Sequence, residues 1–426
     1  MKEIIFPQDQ VYWYLQRAGA PPLRQSISTD VVVIGGGMAG LSAAQAFAAR
    51  GKEVVLLEQY YCGAGASGKS SGFITPNSEL GLTSFIEHYG KHNARIIWDF
   101  ISSGVSLIKS NIHDHALECD YQLQDTISLA NTKKALKELH QEYENLKKMG
   151  YETFYFTQDE VRNYVASDQY HGGMGYIGSF GIHAYQYCQQ MKSVLSTQGV
   201  AIYEETPVLS IDENSIITAH ATVQAKMIIV CADRFIPQLN LLKKEIYQMQ
   251  TFLMLSQILT DQEMSSIFPQ KKYMAWDSDL IYSYFRPTGQ NRLLLGGGTY
   301  SQTYTSQEKH HYKGIYKKLT NYVMNTFGIQ VQFEQQWPGL IGISKDIAPI
   351  AGPDKKNQNI YYIGAAAGLP IAAALGRYSA EHMLDGRNDL DIYFSPYRSF
   401  AIGPILQTIL GKKISFIISN LITEFK

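Results

Sequence analysis

Gly35, Gly37 and Gly40, with Glu58 following 18 positions after the last of them, are the residues whose types and spacing specify chemistry most directly. They sit in DVVVIGGGMAGLSAAQAFAARGKEVVLLE, residues 30–58, where each glycine has its own steric task. Gly35 permits a tight exit from a strand, Gly37 lets the backbone approach a pyrophosphate, and Gly40 lets a helix lie close against a sheet. A helix opening at Met38 and Ala39 offers free N–H groups and the positive end of its dipole to phosphates. Glu58 can accept hydrogen bonds from the hydroxyls of an adenosine ribose. A carboxylate there disfavours a 2′-phosphate, so FAD or NAD fits better than NADP.

A glycine-rich turn between strand and helix is by itself common in proteins that bind nothing there. In this chain the apolar run Val31–Ile34, the helical spacing of Leu41, Ala44 and Phe47, the break at Gly51, the second run Val54–Leu57 and the terminal acid all fall in register. That agreement predicts a dinucleotide-binding βαβ unit. A few residues later, Gly63 to Gly72 reads GAGASGKSSG, a loop of small residues suited to lying against something flat or phosphorylated, or else a linker. Near the other end, the apolar run Ile360–Ile363 leads through Gly364-Ala365-Ala366-Ala367-Gly368-Leu369-Pro370 into a helix over Ile371–Leu384. This is either a second helix N-terminus facing a ligand or an ordinary βα connection.

Between these segments, residues 83–165 have helical periodicity with mixed charge, clearest in TKKALKELHQEYENLKK at Thr132–Lys148. Residues 201–233 turn to short β runs, and residues 245–300 again read as strands, notably Ile281–Phe285 and Leu293–Leu295, before a helical stretch near Tyr312–Phe327. The pattern predicts an α/β chain, α+β overall, with a Rossmann-like nucleotide domain assembled from 30–82, 197–238 and 335–398. A discontinuous antiparallel-sheet substrate domain with a helical insert comes from 83–196 and 239–334, with an arm over 1–29 and an amphipathic tail over 399–426.

Composition narrows the function classes. The 426 residues are 45% hydrophobic, enough for more than one core, and 37 Lys and Arg against 38 Asp and Glu give no global electrostatic reason to expect nucleic acid. Cys62, Cys119, Cys188 and Cys231 have no metal-binding spacing, and MKEIIFPQDQVYWYLQ at the start lacks the apolar core of a signal peptide; both point to a reducing cytoplasm and no metal. No run of about 20 apolar residues exists. The stretch Phe400–Phe425 comes nearest, but Gly403, Pro404 and Lys412-Lys413 divide it into two amphipathic pieces that either pack on the body or rest on the inner face of a membrane.

Several blocks along the chain together carry a family resemblance. They are Tyr12-Trp13-Tyr14, the fingerprint, Gly65-Ala66-Ser67-Gly68, Tyr284-Phe285-Arg286, Asn291 to Thr299 (NRLLLGGGT), Trp337 to Ser344 (WPGLIGIS) and Pro349 to Gly352. In this order the chain resembles the FAD-dependent D-amino acid oxidase (DAO) superfamily over nearly its whole length, and within it the γ-glutamylputrescine oxidase type. The resemblance implies an FAD/NAD(P)-binding domain with an antiparallel sheet over the flavin ring, and FAD rather than NAD. Carried over by position, the fingerprint residues Gly35, Gly37, Met38, Ala39 and Gly40, with Glu58 and Gln59, hold the ADP half, and Val208 presents its backbone near the adenine. Ala66, Ser67, Lys69, Ser70, Ser71 and Gly72 run beside the pyrophosphate and isoalloxazine. Gly342, Gly364, Gly368, Leu369, Pro370 and Ile371 lie toward the flavin ring.

The loop departs from the Ser-Gly-Arg-Asn-Gly-Gly of close relatives: Lys69-Ser70-Ser71 stands there instead, partly like the glycerol-3-phosphate dehydrogenase loop. No histidine follows Ser67 before His88 and no cysteine lies beyond Cys231, so the attachment points used by some members are missing and non-covalent FAD is implied. The implied reaction takes a hydride from a carbon bearing an amine to the flavin, leaving an imine that water hydrolyses. Oxidation of an alcohol such as a glycerol phosphate, or a flavin-binding scaffold with a degenerate pocket, are the alternatives.

For the substrate side, strand alternation puts Tyr282, Tyr284 and Arg286 on one face, where two phenols and a guanidinium suit a polar substrate with a carboxylate, and the resemblance implies a small-molecule amine or amino acid. An exposed sheet face would look the same. His183, at the end of Gly178 to His183 (GSFGIH), stands where related oxidases carry a histidine near the active site, or is a structural histidine. Lys345 lies beside Asp346 in the approach to the flavin, or in a surface ion pair. Trp276 and Trp337 are candidate walls, or core.

Overall fold

The run Val31–Ile34 is buried on both faces, as an inner strand of a parallel sheet requires. In the computed structural model, which describes residues 11, 14, 19–77, 79–299, 303–306 and 313–424, the strand Ile27–Ile34 lies parallel between Val54–Leu57 and Thr222–Val230. Ala201–Tyr203 extends the sheet on one side. On the other side Thr222–Val230 pairs with two different strands: its first half takes the antiparallel Ser215–Thr218, and its last residues take the parallel Ile360–Gly364. Of the arm motif, Tyr12 and Trp13 lie outside the described residues, as does Tyr312.

Two helices cover one face of this sheet. The fingerprint helix Met38–Ala48 packs against Leu369–Asp385, and a methyl added at Gly376 would strike the Ala39 carbonyl oxygen. The Ser42 hydroxyl donates to the Ala373 carbonyl at 2.7 Å across the same contact. A third helix, Leu82–Asp114, broken at Gly90 (φ 76°), crosses the start of Leu369–Asp385 so closely that a side chain at Gly104 would strike the Pro370 carbonyl. Small residues thus fix the inter-helix distance.

The second sheet has eight strands, in the order Phe333–Ile343, Tyr247–Ile258, Arg292–Gly297, Tyr284–Pro287, Met274–Asp277, Thr126–Leu129, Gly172–Tyr176, Thr153–Thr157. All its pairs are antiparallel except Met274–Asp277 with Thr126–Leu129. Three expectations change here. The segment 83–165 is not wholly helical, because Thr126–Leu129 is a strand between the helices Leu82–Asp114 and Lys133–Lys148, and Thr153–Thr157 is another beyond the second helix. Phe333–Ile343 pairs with Tyr247–Ile258 in this sheet rather than joining the nucleotide sheet, so the boundary at 335 moves beyond Ile343. The strand expected at Ile281–Phe285 begins at Tyr284, because the Asp277 carboxylate accepts from the backbone N–H of Asp279 (3.1 Å) and Ser283 (3.2 Å) and closes those residues into a turn.

The tail forms two helices, Pro404–Leu410 and Lys412–Glu424, bent by 119° where Gly411 takes φ 78°. Phe416 is fully buried, and the Asn420 side-chain amide donates to the carbonyls of Ser344 (3.1 Å) and Lys345 (2.9 Å), so the inner face packs on the body. No single helix among the described residues is long and apolar enough to cross a membrane.

Candidate active site

A continuous cavity of about 1410 Å3 runs from the fingerprint turn to the second sheet. At the first end Gly35 takes φ 110°, and a Cβ there would lie 2.6 Å from the Cys231 carbonyl oxygen, so no other residue fits. A Cβ on Gly37 would lie 3.0 Å from Ser67 Oγ, which itself accepts from the Met38 N–H at 2.9 Å and stands at the open N-terminus of the fingerprint helix. Glu58 is buried yet borders the cavity, accepting from the N–H groups of Gly36 (2.7 Å) and Tyr60 (2.9 Å). Burial outweighs those amides and, with Glu204 nearby, pushes its carboxyl up to about 7.

The middle of the cavity is bordered by the loop Ala66–Gly72, which begins with one helical turn over Ala66–Lys69. Three groups hold it. The Trp337 indole N–H donates to the Lys69 carbonyl at 3.0 Å. The Ser70 hydroxyl donates to the Ser67 carbonyl at 2.8 Å. The Arg286 guanidinium donates to the carbonyls of Ser71 (2.7 Å), Ile182 (2.7 Å) and Pro287 (3.2 Å). Opposite, the Asp233 carboxylate accepts from Gly342 N–H (2.8 Å) and Ala365 N–H (2.9 Å), tying the second sheet to the turn that precedes the helix Leu369–Asp385. Sequence reasoning missed Asp233; its place directly after the strand end Cys231-Ala232 was the available signal.

Most residues expected to hold the cofactor border this one cavity: Gly35, Gly37, Met38, Ala39, Glu58, Gln59, Ala66, Ser67, Lys69, Ser70, Ser71, Gly72, Val208, Gly342, Gly364, Gly368, Leu369 and Pro370. Gly40 is set back, where a methyl would strike the Gly35 carbonyl, and Ile371 points into the core among the helices. The glycine cradle, the acceptor pair on Glu58 and two helix N-termini facing one space fit a dinucleotide. Among the described residues no cluster of His, Cys, Asp and Glu could hold a metal ion.

Of the expected substrate contacts Tyr282 and Tyr284 border the cavity, the Tyr284 hydroxyl 2.8 Å from Thr251 Oγ1 and pushed up to about 12 by burial. Arg286 shares its face but is wholly buried, because Gly72 and Gly181 leave room for the guanidinium to pass beneath the loop and reach carbonyls. His183 instead caps the helix Ala184–Thr197, Nδ1 accepting from Gln186 N–H at 3.2 Å. Lys345 is buried under the tail, donating to the Ile402 carbonyl (3.2 Å) and Gln407 Oε1 (3.1 Å), and burial holds its ammonium below the usual lysine range. Trp337 is core, whereas Trp276 is a wall. Residues not foreseen complete that end: Phe73, Asn77, Glu79, Thr251 and Asp277. The Tyr282 hydroxyl donates to both Glu79 oxygens (3.1 and 3.2 Å); Glu79 is exposed, yet the surrounding protein displaces enough solvent to raise its carboxyl. Asp277, more deeply buried, is pushed up to about 6.

Comparison with known proteins agrees with this geometry. The family described as FAD dependent oxidoreductase, DAO, matches residues 30–382. The chain is 26% identical over 386 residues to a probable oxidoreductase OrdL of Haemophilus influenzae, covering 88% of this chain and 87% of that one. It is 26% identical over 398 residues to the gamma-glutamylputrescine oxidoreductase of Escherichia coli, covering 90% and 91%. Among solved structures it is similar to glycine oxidase from Geobacillus kaustophilus (TM-score 0.72, 17% identity, 88% of this chain and 100% of that one). L-proline dehydrogenase from P. horikoshii is also similar (TM-score 0.74, 16% identity, 87% and 98%).

The loop clamp and the glycine cradle predict different failures. Gly37→Val forces a branched side chain against Ser67 and into the cavity where a pyrophosphate is expected, and the protein is expected to fold but purify without flavin absorbance. Arg286→Ala leaves buried carbonyls unsatisfied and a void beneath the loop, with a loss of about 3–5 kcal/mol in denaturant unfolding and weakened flavin retention. An Arg286→Ala protein of unchanged stability and flavin content would show that the guanidinium does not hold the loop.

Proposed function

Because the chain belongs to the family of FAD-dependent oxidoreductases, with FAD as cofactor, we propose that it oxidises the C–N bond of an amine, and that the substrate is not held by a carboxylate. The observation that carries this reading is that Arg286, the cation expected to receive a carboxylate, and Lys345, expected in the approach to the flavin, both point away from the cavity and donate to carbonyl oxygens. The cations bordering the cavity among the described residues are Lys69, in the loop, and Arg234, which follows the nucleotide-sheet strand Thr222–Val230. Glu79, Asp277 and Asp279 border the substrate end. A compartment lined by charge of that sign attracts an ammonium and repels a carboxylate or a phosphate, which also disfavours a glycerol phosphate.

FAD, when bound, supplies the acceptor for the two electrons and the hydrogen leaving the carbon. We assign Glu58 and the fingerprint turn to its ADP half, and the loop Ala66–Gly72 with the turn Gly364–Leu369 to the flavin half, held without a covalent bond. The chain's own groups orient the substrate: Tyr284, fixed by Thr251, and Phe73 with Trp276 wall the space and exclude water around the reacting carbon. The imine product is hydrolysed by water to a carbonyl compound. Anaerobic bleaching of the purified flavoprotein tests the reading. Alkylamines are expected to bleach the flavin at lower concentration than amino acids bearing the same side chain. Preferential reduction by amino acids or by glycerol phosphate would overturn it, and a flavin that no substrate bleaches would point to a scaffold.

We further propose that the protein works in a reducing compartment, in keeping with four buried, free cysteines, and that the tail touches the surface of an anionic membrane. Ile405 (82% exposed), Ile409 (75%), Ile414 and Ile418 line the outer side of the bent helix pair. Lys413 and Lys244, whose carbonyl holds Gln407, are exposed beside them. An apolar face rimmed by lysines suits such a surface. The protein is expected to sediment with vesicles rich in phosphatidylglycerol, less with phosphatidylcholine, and to lose this in Ile405→Ser with Ile409→Ser. Protein that stays in the supernatant with both vesicles would refute the assignment.

A further inference from the structure

We infer that Glu79 and the rings around it form a subsite for a second, non-reacting ammonium group, so that the preferred substrates are diamines or polyamines; this rests on the amine reading above. Four rings border this part of the cavity: Phe73, Trp276, Tyr282 and Tyr284. Phe73 lies 6.2 Å from Trp276 and 6.1 Å from Tyr284, edge-on to the latter, and Tyr282 lies 5.8 Å from Tyr284. Such clustered rings offer negative faces to a cation. Glu79 stands at their border with both oxygens turned to the Tyr282 hydroxyl, which among the described residues is its hydrogen-bonding partner, and no lysine or arginine there pairs with it. While the cavity holds water the carboxylate is solvated. Once a substrate displaces that water, a carboxylate without a countercharge becomes costly, and a cation delivered by the substrate removes the cost.

The chemistry of C–N oxidation decides which nitrogen it meets. The reacting nitrogen must be uncharged, with its lone pair free to form the C=N bond, yet a neighbouring carboxylate holds an amine in its protonated form. A carboxylate facing the reacting nitrogen would therefore oppose the reaction, whereas one facing a remote ammonium anchors the substrate and leaves the other end free. Glu79 is thus a specificity-determining residue that touches the substrate, and Tyr282 positions it.

The test uses the holoenzyme under anaerobic conditions, with diaminobutane, diaminopentane and diaminohexane set against the monoamine of the same chain length. The diamine is expected to half-reduce the flavin at a concentration roughly 30-fold below that of its monoamine, the combined effect of a charge-assisted pair and ring contacts. In Glu79→Gln this ratio is expected to fall close to one, and in Tyr282→Phe to an intermediate value, with flavin absorbance and thermal unfolding reporting that each variant is folded and loaded. Equal use of diamine and monoamine by the wild type, or a diamine preference that survives Glu79→Gln, would overturn the subsite while leaving amine oxidation intact. If amines of neither kind reduce the flavin, the amine reading itself falls and the subsite with it.

Discussion

The site depends on one buried cation. The Arg286 guanidinium lies under the loop Ala66–Gly72 and donates at once to Ser71 in that loop, to Ile182 just ahead of the helix Ala184–Thr197, and to Pro287 in its own strand. A planar fork with several donors can join three pieces of backbone in this way; a lysine could not. The second sheet therefore sets the height of the loop beside the cofactor space, and Trp337, from another strand of the same sheet, fixes the loop at Lys69. Asp233 makes the reciprocal connection, from the end of a nucleotide-sheet strand to Gly342 in the second sheet. The two sheets are thus registered to each other by charged groups at the cavity rather than by apolar packing alone.

The nucleotide half was legible because its physics is local. Glycines at fixed offsets, a helix period and two apolar runs each restrict the backbone independently, and all agree within residues 30–58. The substrate half was legible only in part. Alternation correctly grouped Tyr284 with Arg286 on one face, but periodicity carries no information about depth, and depth separated them. What sank Arg286 was room left by Gly72 and Gly181, the latter 105 positions away in sequence, together with acceptors that no pattern advertises. The alternatives at His183 and Lys345 stayed open for a related reason: a cap and a tail anchor use the same side chains as a catalytic site, and only their partners, Gln186 N–H in one case and Ile402 with Gln407 in the other, tell the uses apart. The domain boundary at 335 falls inside the strand Phe333–Ile343 because pairing with Tyr247–Ile258 is a long-range choice that its own residues do not encode.

The cavity is electrically divided. Its nucleotide end offers helix N-termini and backbone N–H groups to phosphates, while its far end offers carboxylates and ring faces. A chain that binds an anionic cofactor and a cationic substrate in one space needs this separation, since each ligand would otherwise compete for the other's seat. The substitution of Lys69-Ser70-Ser71 into the loop falls at the boundary between the two, which is where a changed residue can alter the balance without disturbing either end.

Glu58 gives this arrangement a further property. Burial pushes its carboxyl up to about 7, toward the protonated form and against the two amides that favour the carboxylate. Ribose hydroxyls seated on Glu58 as proposed would donate to its ionised form and so favour release of a proton from that carboxyl. Flavin loading at that seat would then grow more favourable as pH rises, and its calorimetric heat would vary with the ionisation enthalpy of the buffer.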